Sequence, residues 1–247
     1  MRFKSSILVL VLFGFTFAIE NSDILKKIDD KRRIENLTFD MDITSFNGDK
    51  KIDEYSISGY MKSVNDLNKV LIYFTAPANQ KERKMFLEGN YMWVLFPRTK
   101  NAIRLSPMQV LLGEASNGDV ARTSFSDDYV ALSTDSDTKL GKSCLKLKLK
   151  SKESRKGSTY GQIVLWVEKD SLLPVYAEFY TESGKLMKLT EYSENKTYGS
   201  AIYASRMDIR DANEPTKHTI MRYSKMGSKL IPTNYFAKEY LDRFTLE

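Results

Sequence analysis

Polar and apolar residues alternate along most of this chain. Leu37, Phe39, Met41 and Ile43 are separated by Thr38, Asp40, Asp42 and Thr44, the period of two expected of a strand with one buried face. Asn47-Gly48-Asp49 reads as a turn, after which Tyr55, Ile57, Gly59 and Met61 form a second strand and complete a hairpin. Val70 to Thr75 is a third strand, closed by Pro77. Phe86-Leu87 and Tyr91 to Phe96 flank Glu88-Gly89-Asn90 as another hairpin. Its second arm is apolar on both faces, which predicts a strand covered from both sides. Ala102 to Leu105 begins the next strand. Further on, Leu145, Leu147 and Leu149 alternate with lysines, Ile163, Leu165 and Val167 form a strand, and so do Leu173, Val175, Ala177 and Phe179. Leu186–Tyr192, 200–209 and 217–224 complete the series.

Two segments depart from this rhythm. Residues 22–36 predict a short amphipathic helix, capped by Ser22 or Asp23, with Ile24, Leu25 and Ile28 on one face. Residues 106–113 predict another: Ser106 caps, Pro107 takes the first helical position, Met108, Leu111 and Leu112 share a face, and Gly113 ends it. Residues 114–128 read as a polar loop containing Asn117-Gly118-Asp119. The fold expected is mainly β: about eleven antiparallel strands in one domain, joined mostly by hairpins. A sheet of that length curls to bury its apolar face, and where opposing side chains do not meet it leaves a cavity. Ten methionines, which adapt to ligands of varied shape, favour a cavity over a filled core. The 106–113 segment would be its lid or plug.

The N-terminus adds a destination. Arg2 and Lys4 precede an apolar run from Ile7 to Ala18, Thr16 and Ala18 suit the −3 and −1 positions of a cleavage site, and Glu20 to Asp23 are polar. The run is too short to span a bilayer, so residues 1–18 are expected to be a cleavable signal peptide and 19–247 a free, soluble mature domain. No cysteine near the cut offers a thiol for lipid attachment. The 38 basic residues outnumber the 32 acidic ones, giving a net charge of +6, but they are spread along the chain and no block reads as a nucleic-acid arm. Cys144 stands alone and can form no internal disulfide, and it reads as a small packing residue.

Catalytic chemistry finds little footing. His218, the single histidine, sits on a predicted strand beside Lys217 and reads as a surface residue. No serine nucleophile elbow, paired-histidine metal motif or phosphate-binding loop is present. Asp135-Ser136-Asp137 has neither the glycine nor the distal glutamate of a calcium loop, since Lys146 stands at the latter position. The expectation is therefore a binding protein rather than an enzyme, without cofactor or metal.

From about residue 80 onward, a series of short motifs resembles the LolA-like family of outer-membrane lipoprotein-sorting proteins. They are Arg83 to Arg98, Ala102 to Ser106, Ser124-Phe125-Ser126-Asp127-Asp128-Tyr129, Gly161 to Glu168, Leu173-Pro174 with Glu178 to Tyr180, Gly184 to Leu186, and Ile231-Pro232 with Tyr235-Phe236. The resemblance implies an incomplete antiparallel β-barrel with short helices as a lid, whose apolar interior shields acyl chains in the periplasm. It implies acylated lipoproteins as cargo, an inner-membrane lipoprotein-releasing ABC transporter as donor, and an outer-membrane acceptor. A monomer that binds no nucleic acid is expected. The lipid-facing residues would be Phe39, Met41, Ile43, Ile57, Met61, Trp93, Leu145, Leu147, Leu149, Ile163, Leu165, Val175 and Phe179, with Met108, Leu111 and Leu112 as lid. Arg98, Arg104 and Arg122 are the candidates for the family's lid-latching arginine. Related folds include RseB-like periplasmic sensors, so a module that binds a protein partner or lipid is the alternative.

Overall fold

The computed structural model describes residues 16–64, 67–89, 91–121, 124–153 and 158–245. A helix α1 (Thr16–Asp30) precedes six strands: β1 (Leu37–Asn47), β2 (Lys50–Val64), β3 (Leu67–Ala76), β4 (Lys84–Glu88), β5 (Tyr91–Leu95) and β6 (Ile103–Leu105). A two-stranded hairpin follows, β7 (Val110–Leu112) and β8 (Ala115–Ser116), and leads into the short helix α2 (Asn117–Ala121). Seven more strands complete the chain: β9 (Tyr129–Lys139), β10 (Lys142–Ser151), β11 (Gln162–Glu168), β12 (Pro174–Tyr180), β13 (Leu186–Tyr198), β14 (Ala201–Asp211) and β15 (Lys217–Ser228). Two single 3-10 turns lie beyond, at Thr233–Tyr235 and Lys238–Tyr240.

Thirteen strands form one antiparallel sheet in the order β6-β5-β4-β3-β2-β1-β15-β14-β13-β12-β11-β10-β9. The first strand and the last pair at its centre, Ile43 opposite Met221, and the chain meanders outward on one side and back inward on the other. β6 and β9 are free edges, so the sheet curls without closing and is the expected incomplete barrel. The connection between the edges crosses the interior and carries β7, β8 and α2 with it.

The period-two pattern sorts side chains cleanly. In β1, Leu37, Phe39, Met41, Ile43 and Ser45 are buried while the residues between them are half-exposed. One core cluster packs the inner faces of β1–β5 and β15 against Leu111 and Leu112 of β7, Ala115 of β8 and Val120 of α2. A second packs Leu25 and Ile28 of α1 against Leu147, Leu149, Ile163, Leu165 and Phe179. Outside the sheet, the C-terminal residues Ile231, Phe236, Leu241 and Phe244 cover Leu71, Tyr73, Phe86 and Leu95. β5 is thus covered on both faces, as its sequence requires.

Four expectations are corrected. The sheet has thirteen strands rather than about eleven, largely because β9 is a polar edge strand whose Ser, Thr and Asp residues carry no apolar period. Residues 106–113 form a turn and then β7, because backbone pairing of Val110 with Ser116 outcompetes a helix too short to hold itself. The helix lies just after, at α2, where Asp119 accepts hydrogen bonds from the Ser116 amide and hydroxyl, at 2.7 and 2.8 Å. Finally, α1 starts at Thr16 and ends at Asp30, so Ser22 and Asp23 lie inside it and residues 31–36 are irregular. Most of the apolar N-terminal run lies outside the described residues, and no described helix is long and apolar enough to cross a membrane.

Candidate functional site

The inner face is filled unevenly. Where β7 and β8 cross it, the interior is solid. Gly113, at the tip of their hairpin, has a φ of +52° and sits so close to the sheet that a Cβ there would come within 2.6 Å of Thr219 Oγ1 and Ser45 Cβ. The Glu114 amide donates to Thr219 Oγ1 at 2.8 Å. Buried Lys188 of β13 forms an ion pair with Asp119 and donates to the Glu114 carbonyl at 3.1 Å. Tyr160 Oη donates to the other carboxylate oxygen of Asp119 at 2.7 Å. Burial, reinforced by Asp119, pushes the Tyr160 phenol well above its ordinary pKa, so it is a permanent donor here. The hairpin and α2 form a plug fastened by buried polar groups.

The other side is closed by a cover. Asp29, near the end of α1, is buried and accepts from Ser124 Oγ at 2.8 Å, the Phe125 amide at 3.0 Å and the Ser126 amide at 2.7 Å. Arg32 donates to the same carboxylate at 2.8 Å and lies over the Phe125 ring at 4.9 Å. One aspartate thus ties α1 to the 124–128 segment. That segment reaches β3 through Asn68 and Asp127 at 2.9 Å, and Lys152 caps the Ser126 carbonyl at 2.6 Å.

Between plug, cover and sheet lies an internal cavity of about 110 Å³, with Arg32 and Phe125 on the cover side, Asp119 on the plug side, and Ile163, Phe179, Thr190, Tyr192, Tyr203, Met207 and Tyr223 on the sheet. A wider vestibule of about 540 Å³ is lined by Lys26, Asp29, Arg33, Ile34, Met61, Lys62 and Asp127. Ser124 and Tyr203 line both spaces. Ligand pockets for drug-sized molecules span about 300–1,000 Å³, and a cavity of about 150 Å³ holds benzene. The inner cavity as it stands therefore takes one small group.

The lipid-facing residues picked from the sequence fall into three groups. Phe39, Met41, Ile43, Ile57 and Met61 share the inner face with the plug residues Leu111 and Leu112. Leu147, Leu149, Ile163, Leu165 and Phe179 share it beneath α1, with Leu145 half-buried at its margin. Of all these, only Ile163 and Phe179 line the inner cavity, and Met61 lines the vestibule. Three are misplaced. Trp93 stacks on Phe86 at 5.8 Å on the outer face, beneath the C-terminal segment. Val175 is the extra residue of a β-bulge, since Trp166 pairs with Tyr176 and Val167 with Pro174; the bulge shifts the alternation and sends Val175 outward with Trp166 and Cys144. Met108 is exposed.

Two of the three latch candidates are exposed, and the third is not described. Arg98 is exposed in the β5–β6 turn, Arg104 is exposed on edge strand β6 over the Tyr91 ring at 4.3 Å, and Arg122 lies outside the described residues. The fastenings are instead Asp29 with Arg32, and Asp119 with Lys188. The sequence marked both places without assigning them a role: the Asn-Gly-Asp turn at 117–119, and the 124–129 motif that Asp29 caps. The cavity tyrosines had no signal, because Tyr192, Tyr203 and Tyr223 come from three strands brought together only by the topology. His218 is half-buried and stacks on Phe46 at 5.0 Å. Cys144 is fully buried, and burial pushes its thiol up. Among the described residues no group of three or more His, Cys, Asp or Glu is placed to hold a metal ion.

Comparison with known proteins gives a consistent picture of the fold. A family model whose description reads "-like: Uncharacterized protein" matches residues 66–243. A LolA superfamily protein from Nitrosomonas europaea superposes with a TM-score of 0.79 at 27% identity, covering 89% of this chain and 98% of that one. A DUF1329 family protein from Desulfovibrio piger gives 0.81 at 21% identity, covering 91% and 99%. A protein from Vibrio parahaemolyticus, described as an outer membrane lipoprotein-sorting protein domain, gives 0.79 at 19% identity, covering 92% and 100%. No curated protein sequence matches significantly.

Proposed function

We propose, from the premise that the chain belongs to the family whose model spans residues 66–243 and has the LolA-like fold, that it is an exported carrier of acylated lipoproteins. The observation that carries this reading is the latched cover of α1 and residues 124–128 over a cavity on the inner face of an unclosed sheet. The interior beneath α1 is apolar, and the cavity is too small for cargo until the cover swings away. The cover is held by hydrogen bonds to one carboxylate and by Leu25 and Ile28 packed on the inner face, so opening it exposes apolar surface that incoming chains would cover again.

The energetics suit a shuttle. Each methylene taken out of water gains about 0.8 kcal/mol, so acyl chains stay in a bilayer unless an apolar interior competes. A carrier needs an interior close to a bilayer in affinity, which a cover opened at some cost supplies. In this reading residues 1–18 direct export and are removed, and the mature chain works in the periplasm between an inner-membrane ABC transporter and an outer-membrane acceptor. It needs no cofactor, and its chemistry is binding and release.

The test is to export the full chain in a Gram-negative bacterium, purify the mature protein gently, and combine native mass spectrometry with organic extraction. A co-purifying acylated species that detergent removes is the expected result. A ligand-free protein that also fails to take up a fluorescent fatty-acyl probe would overturn the carrier reading.

A further inference from the structure

The inner cavity is not the plain hydrocarbon pocket that an acyl chain alone would need. Thr190 and Tyr192 on β13, Tyr203 on β14 and Tyr223 on β15 line one wall of it. Thr190, Tyr203 and Tyr223 are 3%, 7% and 6% exposed, so their polar atoms are withdrawn from bulk water. Among the described residues none of these four hydroxyls has a hydrogen-bond partner. By contrast, Tyr160 bonds Asp119, and Ser205 bonds the Glu194 carbonyl. These hydroxyls are not fully enclosed but open onto the cavity, and a fold that only needed to fill this wall would place phenylalanine and valine there. We propose that this hydroxyl wall is a recognition site for the ester carbonyls of the acylated ligand, so that the protein selects ester-linked chains over hydrocarbon of equal length. This rests on the carrier reading above and assigns the polar half of the same site.

The charges around the cavity decide between a neutral and an anionic partner. Arg32 is balanced by Asp29, and Asp119 by Lys188. A carboxylate or phosphate placed there would leave water for an interior whose described ion pairs are already matched, which is costly. A neutral carbonyl oxygen accepts from the hydroxyls without that penalty. Burial raises the phenols of Tyr192 and Tyr223 far above their ordinary value, which keeps them protonated donors at any physiological pH. Ile163, Phe179 and Met207 stand beside the hydroxyls on the same inner face, so apolar and hydroxyl-bearing surface meet within the cavity, as hydrocarbon and ester meet in the ligand. The volume of about 110 Å³ matches a linkage group with the first carbons of its chain rather than a headgroup with sugars or several phosphates.

The experiment compares two lipids of identical chain length, a diacyl phosphatidylglycerol and its dialkyl ether analogue, which lacks only the two carbonyls. Binding of each is measured to the wild-type protein and to a variant carrying Tyr192→Phe, Tyr203→Phe and Tyr223→Phe. The wild type is expected to favour the ester lipid by about tenfold, the value of one to two net hydrogen bonds. The variant should bind both lipids alike, keep its affinity for the ether lipid, and unfold at the same temperature or higher, since the hydroxyls serve no internal bond. Equal wild-type binding of the two lipids, or a preference that survives in the variant, would overturn the hydroxyl wall and leave the carrier reading standing. Failure of the wild type to bind either lipid would overturn both.

Discussion

The two sides of the inner face are built from the same kind of strands and closed in different ways. Under the plug, Met41, Ile43, Phe74 and Met221 are each at most 1% exposed, and the covering hairpin is fastened by a buried ion pair and a glycine pressed against the sheet. Under α1, the wall keeps a cavity and uncommitted tyrosine hydroxyls, and the covering helix is fastened by hydrogen bonds to Asp29 and by Leu25 and Ile28, with no buried ion pair to the sheet among the described residues. In the carrier reading the difference separates stability from function: one side is a core that holds the curled sheet together, and the other is a site to be vacated for cargo. A sheet of thirteen strands with two free edges needs the first in order to afford the second.

The largest effect should come from cutting the plug's fastening. Asp119→Ala leaves Lys188 buried without its carboxylate and removes acceptors from Ser116 and Tyr160. Loss of one partner of a buried pair costs about 3–5 kcal/mol, and urea unfolding should show it. A loss below about 1 kcal/mol would mean that the plug is as detachable as the cover, and the contrast would collapse.

A paired substitution sharpens the contrast at intermediate scale. Met41→Ala, in the filled half, is expected to cost about 2–5 kcal/mol, while Tyr192→Phe, on the cavity wall, should stay within about 0.5 kcal/mol of wild type. Equal losses in denaturant midpoints would place both residues in one continuous core.

The smallest effect concerns Glu114 on the plug. Burial, and then the neighbouring Asp211, raise its carboxyl pKa against the pull of Lys188 and Lys217. The folded protein therefore holds this proton more tightly than the unfolded chain does. Its stabilising contribution is fully present below the ordinary carboxylate value and is lost as pH rises through the raised one. Glu114→Gln should raise the melting temperature slightly at neutral pH and weaken its decline between mildly acidic and neutral conditions. A lower melting temperature at neutral pH would contradict that sign.

What could be read from the sequence follows the same division. Strands whose inner residues are aliphatic, such as β1 and β10, announce themselves by period. The polar edge strand β9 does not, and the turn at 106–109 resembled a helix start because proline after serine suits both. Residues of the filled half were found by their apolar period, but of the site only Ile163, Phe179 and Met61 were, because the cavity wall is partly polar. Tyr192, Tyr203 and Tyr223 are far apart in sequence and meet only once β13, β14 and β15 lie side by side. Val175 was misassigned because one bulge residue reverses the face of everything before it, which no alternation rule foresees. The latch was sought at Arg98, Arg104 and Arg122, whereas Asp29 ties α1 down only when that helix lies against residues 124–126.

The most direct test is amide hydrogen exchange of the mature protein with and without a synthetic diacylated lipopeptide. The account predicts that, without ligand, amides of residues 23–34 and 124–128 exchange faster than those of β7, β8 and α2, and that the lipopeptide changes exchange in the cover and along β13–β15 while leaving the plug as it was. Exchange that changes chiefly at 110–121, or nowhere, would contradict a carrier whose cover is α1.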